Sequence, residues 1–263
     1  MQRMREAQMA TGEARVTTRA VDGVRADRAA LLDIAAGLSS AQWQSPSGCP
    51  GWSVQDVVSH LGALFWLVAD PSVLPGTAGL GTEQAQEAIV VTRRALTAPQ
   101  VLADYESVSA RALDLLAGLA GQDGELDFGD FGRYPAWVLP SAFAFDHYTH
   151  IRADLFAPRG PLAGPAPPSD ELRLVPALDW VEAALPQQNS TVLARLAGSI
   201  TITVLGPGGR TIRLGQGGPA AKISSDAPAF IRWVTQRGSW GGLGVRAAGD
   251  EAQLSIARSL HVF

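Results

Sequence analysis

"PSGCPGWSVQDVVSHLG", residues 46–62, sets a rigid Pro/Gly/Cys/Trp knuckle directly in front of an amphipathic helix. Ser53 stands where an N-cap is needed, because its hydroxyl accepts from backbone N–H groups that the first turn leaves without partners. Val54, Val57, Val58, Leu61, Leu64 and Phe65 then recur at helical intervals and form one inward stripe. His60 lies beside that stripe, one residue before Leu61. A single histidine there is either a core side chain with a satisfied hydrogen bond or one arm of a metal site. Partners elsewhere in the chain decide between the two.

Upstream of the knuckle, Val16, Val21, Val24, Ala29, Leu31, Leu32, Ile34 and Ala35 predict a long first helix from Ala14 to Leu38, stopped by "GLSS". Residues 1–14 are polar and are expected to be a flexible leader. Downstream, "DPSVLPGTAGLG" is a loop, and "TEQAQEAIVVTRRALT" and "PQVLADYESVSARALDLLAGLAG" read as a third and a fourth helix. "QDGELDFGDFGRYP" reads as irregular. "AWVLPSAFAFDHYTHIRADLFA" is a fifth helix that starts at or just beyond Pro140, since proline is tolerated in a first turn. Residues 15–158 are therefore expected to form an up-down helical bundle.

The Pro/Gly-rich stretch 159–169 reads as a linker, and the pattern changes after it. "DELRLVPALDWVEAAL" is helical, "SITITVLG", "RTIRLG" and "AAKISS" read as strands, and "DAPAFIRWVTQRG" and "DEAQLSIARSLHVF" as closing helices. Residues 170–263 are thus expected to be a small α+β domain. The glycines of "GPGGRTIRLGQGGP" are turns around a strand, because no helix and no Gly-Lys-Ser/Thr follows them.

Composition narrows the function classes. With 46% hydrophobic residues among 263, the chain can bury a sizeable core. A net charge of −4, and a basic complement that is arginine apart from Lys222, give neither a nucleic-acid footprint nor an acidic tail. One cysteine, Cys49, excludes an internal disulfide framework and a cysteine-rich metal module, and the simplest home is a reducing cytoplasm. No run long and apolar enough for a signal core or a membrane span is present, so neither export nor membrane association is expected.

The fifth helix contains "FDHYTHIRADL", in which Asp146 and His150 stand four apart and share a face. They make an intrahelical ion pair or two ligands of a divalent metal. In the second case His60, the one other histidine on a different bundle helix, is the candidate that would complete a two-histidine, one-carboxylate set with open positions for water or substrate.

"SSAQWQSPSGCPGWSVQDVVSHLG", together with the carboxylate, histidine and Asp-Leu order of "FDHYTHIRADL", resembles the mycothiol-dependent maleylpyruvate isomerase family. The resemblance implies a DinB-like, metal-binding four-helix bundle followed by a sterol-carrier-protein-like α+β domain, the latter matched by "FIRWVTQRGSW". It makes His60, Asp146 and His150 the metal ligands, usually for zinc, with aspartate at position 146 where the family more often has glutamate. It also implies mycothiol as a low-molecular-weight thiol cofactor and a small electrophilic substrate, for an isomerase or an S-transferase. Arg237 is similar to a family arginine that faces the active-site cleft and holds a substrate carboxylate; a solvated helix-end arginine is the other reading.

Asp154, one turn past His150, is either a partner for that ligand's second ring nitrogen or an exposed carboxylate. His147 points about 100° away from Asp146 and reads as packing or surface. Cys49 reads as structural, Trp43 and Trp52 as staples of the knuckle or walls of a pocket mouth. Two further functions fit the same residues: a non-catalytic small-ligand-binding protein, and a non-haem iron enzyme.

Overall fold

The computed structural model describes the backbone of Gln2–Phe263 and side chains from Thr11 onward. Helix α1 (Gln2–Ala36) runs back through most of the segment expected as a leader. Met, Arg, Glu, Ala and Gln dominate that segment and no proline interrupts it, so intrinsic propensity carries the helix without an apolar stripe. A short helix, α2 (Ser40–Trp43), leads into the knuckle and was not evident from periodicity at this length. Helix α3 (Val54–Ala69) begins at Ser53 as the sequence predicts. Ser53 and Asp56 form a reciprocal capping box, worth about 1 kcal/mol.

Helices α4 (Thr82–Arg93) and α5 (Ala98–Ala117) follow. The stretch read as irregular contains a hairpin of β1 (Glu125–Asp127) and β2 (Arg133–Pro135), strands too short to show an alternating pattern. Helix α6 (Leu139–Thr149) continues without a break into a π-helical turn, His150–Leu155. Helices α1, α3, α5 and α6 pack as the four-helix bundle, with α4 along α3.

Beyond the proline-rich stretch come α7 (Glu171–Gln188), α8 (Ser190–Leu193), β3 (Ser199–Leu205), β4 (Arg210–Leu214), β5 (Pro219–Asp226), α9 (Ala227–Val234), β6 (Arg246–Gly249) and α10 (Glu251–Arg258). Four strands form a mixed sheet in the order β4-β3-β5-β6, with β3 and β5 parallel and the outer pairs antiparallel. Strand β6 is exposed along its length, so it carries none of the apolar alternation that reveals the other three. The sheet presents Ile200, Ile202, Val204, Ile212 and Ile223 to α7 and α9, where Leu178, Trp180, Val181, Phe230 and Val234 complete the core.

Helix α6 is the wall shared by the two parts. Phe143 and Ala144 face the bundle core, while Ala142, Phe145 and Tyr148 join the core built on α7 and the sheet. An element apolar on all sides is one buried on all sides. A buried charge cluster adds a second tie: Asp27 of α1 accepts from Arg152 of the π turn at 2.7 and 3.0 Å and from Arg173 of α7 at 2.8 Å. The stretch 159–169 is pinned rather than free, with Leu162 buried and the Pro168 carbonyl accepting from Arg152.

Candidate metal centre

The knuckle is a built turn. The Ser47 backbone N–H and hydroxyl both donate to the Trp52 carbonyl, Trp52 N–H returns to the Cys49 carbonyl, and Gly51 takes a positive φ of 80°. Gly48 donates to the Asp154 carbonyl at 2.8 Å, and a Cβ on it would lie 2.9 Å from the Asp154 Cα. Only glycine lets the knuckle lie this close to the π turn. The start of α3 is thereby fixed against the end of α6, which aims His60 across the bundle at His150.

One ligand atom each of His60, Asp146 and His150 lie within 4.8 Å of one another. The two imidazoles are in edge contact, ring centroids 5.1 Å apart, and Trp52 covers both, at 5.1 Å from His60 and stacked 6.5 Å from His150. His60 is 6% exposed and its Nδ1 has no hydrogen-bond partner among the described residues. A buried ring nitrogen in that state costs free energy that a ligand bond recovers. Burial, with the neighbouring charges of His150, His147 and Arg237, outweighs the nearby Gln86 side chain and holds His60 well below the usual histidine range, so it stays neutral, as a ligand must. Burial raises Asp146 against the attraction of His150 and Arg237. Two imidazoles and a carboxylate, with one ring nitrogen of His60 lacking a partner, fit a divalent ion of the zinc or iron class, and the shorter arm of aspartate still reaches the cluster.

His150 has a second neighbourhood on its other side. Its Nδ1 pairs with Asp154 Oδ2 at 2.9 Å and lies 3.6 Å from Cys49 Sγ. Burial alone disfavours the imidazolium, but hydrogen bonds to Asp154 and Cys49, with their charge, push His150 up to about 10. Asp154 is fully buried, and His150 and Arg237 outweigh its desolvation to hold it below the ordinary carboxylate range. Cys49, His150 and Asp154 also present three ligand atoms within 4.8 Å, but the Arg237 guanidinium already supplies the cation there. Arg237 thus reaches the site in the structure through Asp154, not through open solvent.

His147 is packed away: it is fully buried, with Nδ1 against the Phe143 carbonyl at 2.8 Å and Nε2 against the Tyr105 hydroxyl at 3.0 Å. The position of Cys49 between an imidazole and a guanidinium was missed by sequence reasoning, because both neighbours are about a hundred or more residues away. The glycine before it, required for close approach, was the one available signal. A cleft of about 900 Å³ opens on the outer face of the knuckle, bounded by Trp43, Cys49, Trp52, Gln55 and Arg94, and none of the three candidate ligands lines it.

Residues 24–156, half of the chain, match the family described as the mycothiol maleylpyruvate isomerase N-terminal domain. Two crystal structures of mycothiol-dependent maleylpyruvate isomerase, one of them a histidine-to-alanine mutant, superpose with TM-scores of 0.60 and 0.58 at 16% and 15% identity. Each alignment covers 89% of this chain and 94% of the other. At that identity the superposition shows a shared fold. No curated protein matches the sequence.

Proposed function

Because the chain belongs to the mycothiol maleylpyruvate isomerase N-terminal domain family, we propose that it is a divalent-metal enzyme, zinc-dependent, that uses mycothiol on a small electrophilic substrate. The observation that carries this reading is the convergence of His60, Asp146 and His150 from two helices onto one point, with a buried histidine nitrogen left unpaired. When bound, such a metal supplies a Lewis acid that lowers the pKa of a coordinated thiol, so that a thiolate is available near neutral pH.

The chain's own residues prepare that chemistry. His60 is kept neutral by burial, and His150 is oriented by Asp154 on the ring nitrogen at its other end. Trp52 lies over both imidazoles and keeps water off that face. Uptake of the metal at Nε2 requires the His150 imidazolium to release its Nε2 proton while Nδ1–H stays bonded to Asp154, so loading is coupled to proton release. The same site serves an isomerase, which returns the thiol unchanged, and an S-transferase, which leaves it on the substrate. The reading includes a cytoplasmic location, where an unpaired cysteine stays reduced.

The test is metal analysis of protein purified without added metal, run beside a thiol-conjugation and isomerisation screen against small electrophiles. Stoichiometric zinc with turnover that requires the thiol is the expected result. Absence of stoichiometric metal overturns the proposal. Iron with oxygen-dependent turnover replaces it with the non-haem iron reading.

A further inference from the structure

Arg237 stands three residues past the end of α9, and its direction is set by how that helix ends. The Gln236 N–H returns to the Trp233 carbonyl at 2.9 Å and the Arg237 N–H to the Arg232 carbonyl at 2.7 Å, the paired bonds of a Schellman termination. That motif needs a left-handed residue, and Gln236 supplies it at a φ of 58°, where glycine is the usual choice. Its side chain is tied to the Leu260 carbonyl at 2.9 Å. Strain of this kind persists where the surroundings enforce it, and here it turns the chain so that Arg237 leaves the α+β domain and enters the bundle.

There the guanidinium grips Asp154. Nε lies 3.0 and 2.9 Å from the two carboxylate oxygens and Nη2 lies 2.7 Å from Oδ2, while Nη1 donates to the Thr235 carbonyl at 3.2 Å. All three nitrogens are thus engaged by protein acceptors, and the side chain is 17% exposed. Asp154, fully buried, passes the constraint to Nδ1 of His150.

We propose that Arg237 is a positioning residue of the α+β domain that acts through Asp154 to fix the ring of His150, and that it does not hold the substrate carboxylate. The inference rests on the metal-site reading above for its functional meaning, but the coupling itself is a property of the metal-free protein. Removing the Arg237 guanidinium leaves Arg159 Nε, 3.7 Å from Oδ1, as the remaining cation and takes the grip off Oδ2, the oxygen that pairs with His150, so the imidazole loses its fixed orientation. Outer partners of this type change metal affinity by about 10- to 100-fold.

The test is a double-mutant cycle of Arg237→Gln and Asp154→Asn, read first in metal-free protein by the ¹H–¹⁵N signals of the His150 ring. Arg237→Gln is expected to shift those signals in the wild-type background and to add nothing once Asp154→Asn is present. Cobalt titration is the second readout: Arg237→Gln weakens binding about 10- to 100-fold and changes the visible spectrum of the bound cobalt, and Arg237→Lys recovers part of both. Circular dichroism of each variant identifies any that fails to fold, and Arg237→Lys, which keeps the cation, then carries the comparison. Unchanged His150 signals in Arg237→Gln, or additive effects in the cycle, overturn the proposal. So does wild-type cobalt affinity in Arg237→Gln with a raised KM for a carboxylate substrate. A wild-type protein that binds no cobalt defeats the metal reading instead, and the His150 signals still decide the coupling.

Discussion

His150 has an aspartate four residues before it and another four residues after it, and the two are in opposite states. Asp154 is fully buried, bonded to His150 and Arg237, and held below the ordinary carboxylate range. Asp146 makes no hydrogen bond among the described residues, keeps some exposure, and is raised by burial. Spacing and residue type are identical, so the difference comes from what folds against each. A guanidinium from the distant α+β domain and the backbone of the knuckle close over Asp154, whereas Asp146 has the imidazoles of His60 and His150 beside it and no hydrogen bond of its own among the described residues. The satisfied side is support, and the unsatisfied side is where a ligand gains most.

The two carboxylates should differ most in what each contributes to stability. Asp154→Ala leaves Arg237 buried without its counter-charge, and urea unfolding should show a loss of about 3–5 kcal/mol. Asp146→Asn keeps shape and removes a charge that burial already disfavours, so metal-free protein should stay within about 0.5 kcal/mol of wild type. Equal costs for the two would erase the distinction.

The pH dependence of the metal-free protein sharpens it. Burial holds His147 neutral down to about 4, whereas an unfolded histidine takes up a proton near 6.5. Stability therefore falls as the pH drops below 6.5, and His147 alone accounts for about 3 kcal/mol by pH 4. His60, also lowered, acts in the same direction. His150 has the opposite sign: its contribution is complete below the unfolded value and is lost as the pH rises through about 10. Melting temperature should peak near pH 6.5, and Asp154→Asn should flatten the alkaline limb.

A smaller effect comes from the knuckle. Gly48→Ala places a methyl 2.9 Å from the Asp154 Cα and Oδ1 and should cost about 1–3 kcal/mol. Gly51→Ala meets no atom within 4 Å and pays only for its φ of 80°, about 1 kcal/mol. Thermal melts of the pair measure how far the cost follows contact with the Asp154 side rather than backbone conformation.

The legible parts of the molecule were those in which neighbours in sequence are neighbours in space. Ser53 and the Val57, Leu61 stripe set α3, the alternation of Ile200, Ile202 and Val204 marked β3, and the four-residue spacing put Asp146 and His150 on one face. Nothing in "HIRADL" announces a π turn, since it contains no proline or glycine and its residues are compatible with an ordinary helix. Asp154 could be named as a partner for His150 by spacing, but its grip by Arg237 depends on two domains meeting. The same holds for Cys49. The start of α1 was misplaced because periodicity finds helices by their apolar stripe, and the sequence of its first turns carries none.

Metal content decides whether α3 and α6 build a metal centre. Wild-type protein, His60→Ala and Asp146→Asn, each loaded with zinc and desalted, should carry about one, none and none per chain by elemental analysis, with circular dichroism unchanged across the three. Full retention of zinc by folded His60→Ala would contradict the convergence of α3 and α6 on a metal centre.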